Sequence, residues 1–256
     1  MIHYLPDLKT NWIGFANLAA LWTAAAPVEQ GKLELDLSRC LWFDANMSAA
    51  LGAVLSRVAD RLNTIEIVNV RSTTESILRR NGFLTHYGYA PESGPATTAL
   101  PYRRLRLKEP GRFEDHLREH LVGKGIPEMT AGFGRAFKQS LFEVFENSVH
   151  HSRSRLGIFV CGQFFPTGQR LDILIADSGV GIPQNVEDFL ARPVSPEQAL
   201  AWALEKGNTT KRGPLPGGVG LKFLKDFVGQ NGGTLEIVSG GGHYRFADGK
   251  QTFRHL

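Results

Sequence analysis

Hydrophobic and polar positions in the first 90 residues follow an order that predicts alternating strands and helices. Apolar residues at every second position predict strands at 32–37 and 65–70. Each strand is followed by a predicted helix, the first at 45–62 with Asp44 as its N-cap and the second at 72–80, ended by Asn81 and Gly82. This order predicts a parallel pair of strands joined by a helical crossover.

The residues after a turn-rich break at 91–95 predict a second series of helices and strands. Alternating apolar and basic residues at 102–108 predict a strand with one solvated face. The remaining pattern predicts helices at 113–121, 132–151, 184–190, 197–206 and 218–230, and strands at 156–165, 171–176 and 234–238. No clear strand is predicted after residue 238. The sequence therefore predicts a mixed α/β (α+β) protein.

Composition and charge restrict the class of protein. The chain has 256 residues, of which 42% are hydrophobic, so it can bury one large core or two smaller ones. A net charge of +4 is small for this length and argues against nucleic acid as the main partner. Cys40 and Cys161 lie far apart without a Cys-x-x-Cys pattern, which favours a reducing compartment and no disulfide.

The N-terminus loosely imitates a signal peptide, but its polar residues argue against that interpretation. Asp7, Asn11 and Asn17 interrupt the apolar run. The large apolar residues instead recur at helical spacing, as Trp12, Phe15, Leu18 and Trp22. We therefore expect a helix here, and no apolar stretch in the chain is long enough to span a bilayer.

The predicted helix at 132–151 carries two lines of side chains at i, i+4 spacing. One line is apolar and consists of Phe133, Phe137, Leu141 and Phe145, whereas the other is polar and consists of Gln139, Glu143, Asn147 and His151. Mg²⁺ prefers oxygen ligands and keeps several waters, so Asn147 is a candidate direct ligand and Glu143 a candidate ligand through water or a candidate base. The alternative is a solvated polar face of an amphipathic helix.

A second candidate site follows the predicted strand at 171–176. That strand ends in Asp177, and Gly179 and Gly181 then permit a tight turn and a close approach of a flat ring to the backbone. A carboxylate at this position can accept a hydrogen bond from an amino group such as adenine N6. The alternative is an ordinary turn at the end of a strand.

A third glycine-rich segment begins the helix predicted at 218–230. Its residues Gly218, Val219, Gly220 and Leu221 place backbone N–H groups at a helix start, where negative phosphate oxygens are favoured. The polar loop before it contains Thr209, Thr210 and Lys211, which are candidates for hydroxyl and charge contacts to phosphate. The alternative for each of these loop residues is a solvated position without a ligand.

Taken together, the three segments resemble the GHKL ATPase fold, which occurs in histidine-kinase catalytic domains, anti-sigma-factor kinases and type II topoisomerase ATPase subunits. The resemblance covers about residues 110–240, and the motifs occur in the family's order. Glu143 and Asn147 match the motif whose Asn binds Mg²⁺, and Asp177, Gly179 and Gly181 match the motif whose Asp binds adenine. Gly218 and Gly220 match the motif that contacts phosphates. The resemblance implies a two-layer α/β sandwich with ATP and Mg²⁺ as cofactors.

The first part of the chain resembles the STAS domains, which include anti-sigma-factor antagonists. This resemblance covers roughly residues 30–87 and depends on the order of elements more than on a motif. In phosphorylatable members a Ser or Thr follows the Asp at the start of the first helix, whereas here Ala45 follows Asp44. A generic α/β unit is the alternative. The predicted domains are residues 1–90 (STAS-like), 91–111 (linker and edge strand) and 112–256 (kinase-like ATPase).

These resemblances imply a cytoplasmic signalling or regulatory protein that hydrolyses ATP or transfers its γ-phosphate to a partner, with Glu143 as the base. We identify no internal phosphoacceptor, because neither His86 nor His116 is followed by an acidic residue, as the phosphoacceptor of histidine kinases is. A protein partner would therefore supply one. The alternative is a nucleotide-gated interaction module with little turnover. A DNA-acting ATPase would predict further domains and a stronger basic surface.

Overall fold

The computed structural model describes residues 1–92, 98–107, 109–121, 129–210 and 220–256. Those residues form a mixed α/β protein, as the sequence predicts. They divide into two compact units, the first made of Met1–Glu128 with Leu156–Ser178 and the second of Met129–Arg155 with Gly179–Leu256. Each unit is therefore made of two separate segments of the chain. The three consecutive domains expected from the sequence stay a prediction. Among the described residues, no helix combines the length and apolar character needed to cross a bilayer.

The N-terminal part of the first unit is a parallel three-stranded sheet with helical connections. Its strands have the order β1-β2-β3 and are parallel throughout. The elements are β1 (Ile2–Tyr4), α1 (Trp12–Ala25), β2 (Lys32–Asp36), α2 (Met47–Ala59), β3 (Thr64–Val68) and α3 (Ser72–Arg80). The predicted parallel pair, the N-terminal helix and the helix ending before Asn81 are thus confirmed, whereas the sequence pattern missed the short strand β1.

Asp44 is not the N-cap of α2, and that prediction is wrong. The helix begins at Met47, with Asn46 in the capping position. The Asp44 carboxylate instead accepts hydrogen bonds from the Thr10 backbone N–H at 2.7 Å and from the Trp42 indole N–H at 2.8 Å. Tertiary and local partners therefore occupy the oxygens that a capping residue would offer to the helix.

An antiparallel sheet completes the first unit. It contains β4 (Ala99–Leu105), β5 (Ile158–Phe165) and β6 (Arg170–Asp177) in the order β4-β5-β6, and α4 (Pro110–His120) packs on β4. The strand predicted at 102–108 starts earlier, at Ala99, and ends at Leu105. Its pairing with β5 shifts register between Leu100 and Arg103. Lys108 and residues 93–97 lie outside the described residues.

Helix α2 covers both β5 and β6. Gly52 on α2 makes room for the Tyr102 ring, since a Cβ there would lie 2.7 Å from Tyr102 Cε2. Cys161 on β5 is fully buried, and burial raises the pKa of its thiol to about 12. The core of this unit therefore joins the first 90 residues to strands that lie much later in the sequence.

The second unit consists of four helices and an antiparallel sheet within its described residues. The helices are α5 (Ala131–His151), α6 (Gly181–Leu190), α7 (Pro196–Leu204) and α8 (Gly220–Gln230), and the strands are β7 (Thr234–Ser239), β8 (Gly242–Ala247) and β9 (Lys250–His255). Helix α5 packs against α8, and α7 packs on β8, where Gly242 lies against Pro196 and Leu200.

Two strands follow β7, and the expectation of no clear strand after residue 238 is wrong. The turns that connect them are Gly240-Gly241 and Asp248-Gly249, and all four residues have positive φ. Two-residue turns of this kind match the right-handed twist of antiparallel strands. The Asp-Gly pair was a usable signal, but the strands flanking it are rich in polar residues and their alternation is weak.

Candidate functional site

The apolar stripe of α5 faces α8, as its spacing indicates. Phe145 is fully buried, and the rings of Phe133 and Phe137 lie 5.3 Å and 6.2 Å from the ring of Phe227 on α8. Thr130 caps the start of α5 by accepting a hydrogen bond from the Phe133 N–H at 3.3 Å. These contacts fix the rotation of α5 and hence the direction of its polar line.

Glu143 lies against the beginning of α8. Its carboxylate contacts the position that a Cβ would occupy at Gly220, and that Cβ would lie 3.6 Å from Glu143 Cβ. A glycine at 220 therefore lets a carboxylate approach the N-terminal turn of a helix, where the backbone N–H groups concentrate. Glu143 and Gly220 are two candidate site residues that the structure brings together, and Leu221 is the half-buried residue that follows.

Asn147 lies one turn after Glu143 on the same helix and is likewise half-buried. Within the described ranges neither side chain makes a hydrogen bond or an ion pair with another residue. An amide oxygen and a carboxylate one turn apart, completed by water, suit the donor set of Mg²⁺. No group of three or more His, Cys, Asp or Glu side chains converges on a metal site in those ranges.

The first glycine motif passes very close to the end of α5. A Cβ on Gly179 would lie 2.8 Å from Ser152 Cα and closer still to the Ser152 carbonyl, which accepts a hydrogen bond from the Val180 N–H at 2.9 Å. Gly181 then adopts a φ of +82° and begins α6. Both glycines are therefore required by the backbone path, whatever the motif binds.

Asn185 on α6 fastens this turn to α5. Its amide group donates to the carbonyl of His151 at 2.7 Å and to the carbonyl of Gly181 at 3.0 Å. The side chain is buried, and it satisfies a carbonyl at the C-terminal end of α5 that no intrahelical N–H reaches. The turn after Asp177 and the helix that carries Asn147 are thus held by one side chain.

An exposed ion pair also connects the end of α5 to α6. Arg153, which follows α5 with a φ of +54°, lies 2.9 Å from the Asp188 carboxylate on α6. The hydrogen bond from Gln184, followed by the one from Arg153, lowers the pKa of Asp188. Because the pair is exposed, it orients the two helices more than it stabilises them.

Asp177 belongs to the first unit, where it is the last residue of β6. It lies opposite Ile158 of β5 and is half-buried. The next residue, Ser178, donates a hydrogen bond from its hydroxyl to the Ala53 carbonyl of α2 at 2.9 Å. The candidate adenine ligand is thus positioned by the end of a paired strand and by a contact immediately after it.

The candidate loop residues lie near the end of α5 in the second unit. The Thr210 hydroxyl is 3.0 Å from His151 Nδ1, and Thr209 beside it is half-buried. The structure therefore brings Thr210 to the last residue of the polar line that contains Glu143 and Asn147. Lys211, Gly218 and Val219 lie outside the described residues.

Gly179→Ala is expected to destabilise the protein by about 1–3 kcal/mol, because the new methyl group would collide with backbone atoms of Ser152 that cannot rotate away. Thermal unfolding followed by circular dichroism measures the effect. Gly132→Ala on α5 is the matched control, since a Cβ there meets nothing within 4 Å and a helical alanine is favoured. Equal melting temperatures for the Gly179→Ala variant and the unmodified protein would contradict the close approach.

Sequence reasoning did not single out three residues that shape this site, namely Ser152, Ser178 and Asn185. Ser178 stands inside the glycine motif, so its position carried a signal, although its partner Ala53 is 125 residues away. Ser152 acts through its backbone, which no sequence pattern reports. Asn185 resembles any polar residue of an amphipathic helix until its two carbonyl partners are known.

Comparisons with protein-family models, with curated proteins and with solved structures found no match to this chain.

Proposed function

We propose that this protein binds ATP with Mg²⁺ at a GHKL-type site and either hydrolyses the nucleotide or transfers its γ-phosphate to a partner protein. The proposal assigns the adenine to Asp177 and the glycines at 179 and 181. It assigns Mg²⁺ to Asn147, with Glu143 acting through water, and the phosphates to Gly220, Leu221 and the adjoining motif residues. A regulatory role and a STAS-like origin for the first 90 residues are part of the same proposal.

One observation carries the proposal, namely the contact between the Glu143 carboxylate and Gly220 at the start of α8. A base for phosphoryl transfer must lie next to the place where phosphate oxygens bind. The first turn of a helix is such a place, because its N–H groups lack intrahelical partners. A capping Ser, Thr or Asp is enough to stabilise a helix start, whereas a glutamate that reaches the helix start from a neighbouring helix also supplies a base there.

The chemistry assigned to these residues is electrostatic positioning and proton removal. Glu143 would take the proton from an attacking water or from a hydroxyl of the partner protein. The backbone N–H groups at the start of α8 would bind the phosphate oxygens, and Thr210, held by His151, would supply a hydroxyl. Bound Mg²⁺ supplies positive charge that neutralises the transferred phosphate.

Calorimetric titration of the folded chain with ATP in the presence of Mg²⁺ tests the proposal directly. We expect saturable binding that weakens when EDTA removes Mg²⁺, since Asn147 contributes through the metal. Incubation with γ-labelled ATP then separates hydrolysis, which releases free phosphate, from transfer, which labels a protein. Binding of ATP without either product would support the nucleotide-gated module instead. A folded chain that shows no binding of ATP would refute the nucleotide site.

A further inference from the structure

We propose that the N-terminal part of the chain sets the affinity of the nucleotide site by holding Ser178 on α2, which makes Ser178 a positioning residue for Asp177. This inference rests on the proposed function, because it assigns a means of regulation to the same site. All the contacts that carry it lie within the first unit.

The central contact is the hydrogen bond from the Ser178 hydroxyl to the Ala53 carbonyl on α2, at 2.9 Å. Ala53 lies in the interior of α2, and its carbonyl is therefore part of the helix ladder as well as a partner for Ser178. Because Ser178 follows Asp177 directly, a shift of α2 along its axis would move the backbone that carries the candidate adenine ligand. The contact thus connects residues separated by 125 positions in the sequence.

Alternation along the strands places Asp177 and Ser178 on opposite sides of the sheet. Cys161 and Gln163 of β5 contact residue 45 next to α2, and Cys161 pairs with Leu174 of β6. Even-numbered positions of β6 therefore face α2 and odd-numbered positions face away from it. Ser178 continues the side that faces α2, while Asp177 lies on the other side, away from α2.

A second group of hydrogen bonds fixes the start of α2 to the same sheet. The Ala45 carbonyl accepts from Cys161 Sγ at 3.1 Å, and the Ala45 N–H donates to Gln163 Oε1 at 3.2 Å. Buried Asn81 donates to Ser48 Oγ at 2.9 Å from the end of α3. Because α2 is attached to the sheet at residue 45 and at Ala53, a shift of α2 would displace the end of β6 with it.

A coupling of this kind is reciprocal by thermodynamic necessity. If the position of α2 favours the nucleotide-binding geometry of Asp177, then bound nucleotide favours that position of α2. A partner or modification that moved the N-terminal elements would consequently weaken nucleotide binding, and nucleotide would oppose that partner. Nucleotide affinity and the mobility of α2 can therefore be measured separately.

The test compares the full chain with Ser178→Ala and Ser178→Thr by calorimetric titration with Mg-ATP and with ADP. We expect Ser178→Ala to weaken both nucleotides by the same factor, about fivefold for one lost hydrogen bond, because the purine contact is common to both. Ser178→Thr keeps the hydroxyl and should restore most of the affinity. Hydrogen exchange of the amides at 53–57 should slow on adding nucleotide to the unmodified chain but not to the Ser178→Ala variant.

Ser76→Ala is the matched control, because Ser76 lies on α3, a different helix of the same unit, and its hydroxyl donates to the Glu92 carboxylate at 3.1 Å. The inference would be overturned if the Ser178→Ala variant bound nucleotide as tightly as the Ser76→Ala control. It would also be overturned if nucleotide slowed hydrogen exchange in α2 equally in the unmodified chain and in the Ser178→Ala variant. If the unmodified chain binds ATP and Asp177→Asn does not, such a result refutes only the role of Ser178. Absence of binding by the unmodified chain refutes the nucleotide site itself.

Discussion

Glu143→Gln is expected to lower the rate of phosphate release from ATP by about a hundredfold or more while nucleotide binding persists. The substitution keeps the shape of the side chain, and thus its packing against Gly220, but removes its ability to accept a proton at neutral pH. Because Glu143 is assigned to Mg²⁺ only through water, its loss as a base acts on the reaction barrier far more than on ground-state binding. The expected signature is therefore a fall in kcat with a small change in KM.

Single-turnover assays with γ-labelled ATP measure this effect, and calorimetry on the same variant measures binding. Glu146→Gln is the matched control, because Glu146 lies on the same helix and pairs with exposed His150 at 3.0 Å. An exposed pair of this kind contributes little, so the control should hydrolyse ATP at the unmodified rate. Undiminished turnover by the Glu143→Gln variant would remove the assignment of Glu143 as the base.

Asp177→Asn is expected to weaken ATP binding on the order of a hundredfold, because a charge-assisted hydrogen bond to the adenine amino group is replaced by a weaker neutral one. The amide also presents an NH₂ group in one of its two orientations, which would oppose the donor of the purine. The loss should therefore fall on adenine nucleotides in particular, and the preference for ATP over GTP should shrink.

Asp172→Asn provides the comparison for this second prediction. Asp172 lies on the same strand and pairs with Arg170 at 2.9 Å, at the end of β6 remote from Asp177. Calorimetric titration of both variants with ATP and GTP, after circular dichroism has shown them folded, gives the result. Equal ATP affinity in the two variants would show that Asp177 does not bind the purine.

The sequence predicted the elements whose signals are local. The periodicity of α5 gave both its length and its buried stripe, because every apolar position on a helix face recurs within four residues. The parallel pair β2 and β3 followed from the order of elements, since a crossover helix permits little else. The grouping of Glu143 with Gly220 was expected only through the resemblance, whereas their contact is a property of the packed helices.

The errors of prediction share a physical cause, which is competition between a local signal and partners elsewhere. Asp44 had the composition of an N-cap, yet Thr10 and Trp42 occupy its carboxylate. Strand β1 has three residues, too few for alternation to be recognised. The hairpin strands β8 and β9 depend on pairing with each other and with β7, so their polar residues conceal them in a one-dimensional pattern.

The amino-acid sequence by itself determined the helices, most strands and the three motif segments, because backbone propensity and side-chain periodicity act over a few residues. Only the tertiary structure decided that α2 covers β5 and β6, that Ser178 is attached to Ala53, and that Glu143 reaches the start of α8. Those contacts join residues tens to more than a hundred positions apart, and their energy depends on shape and burial that exist only after the chain has folded.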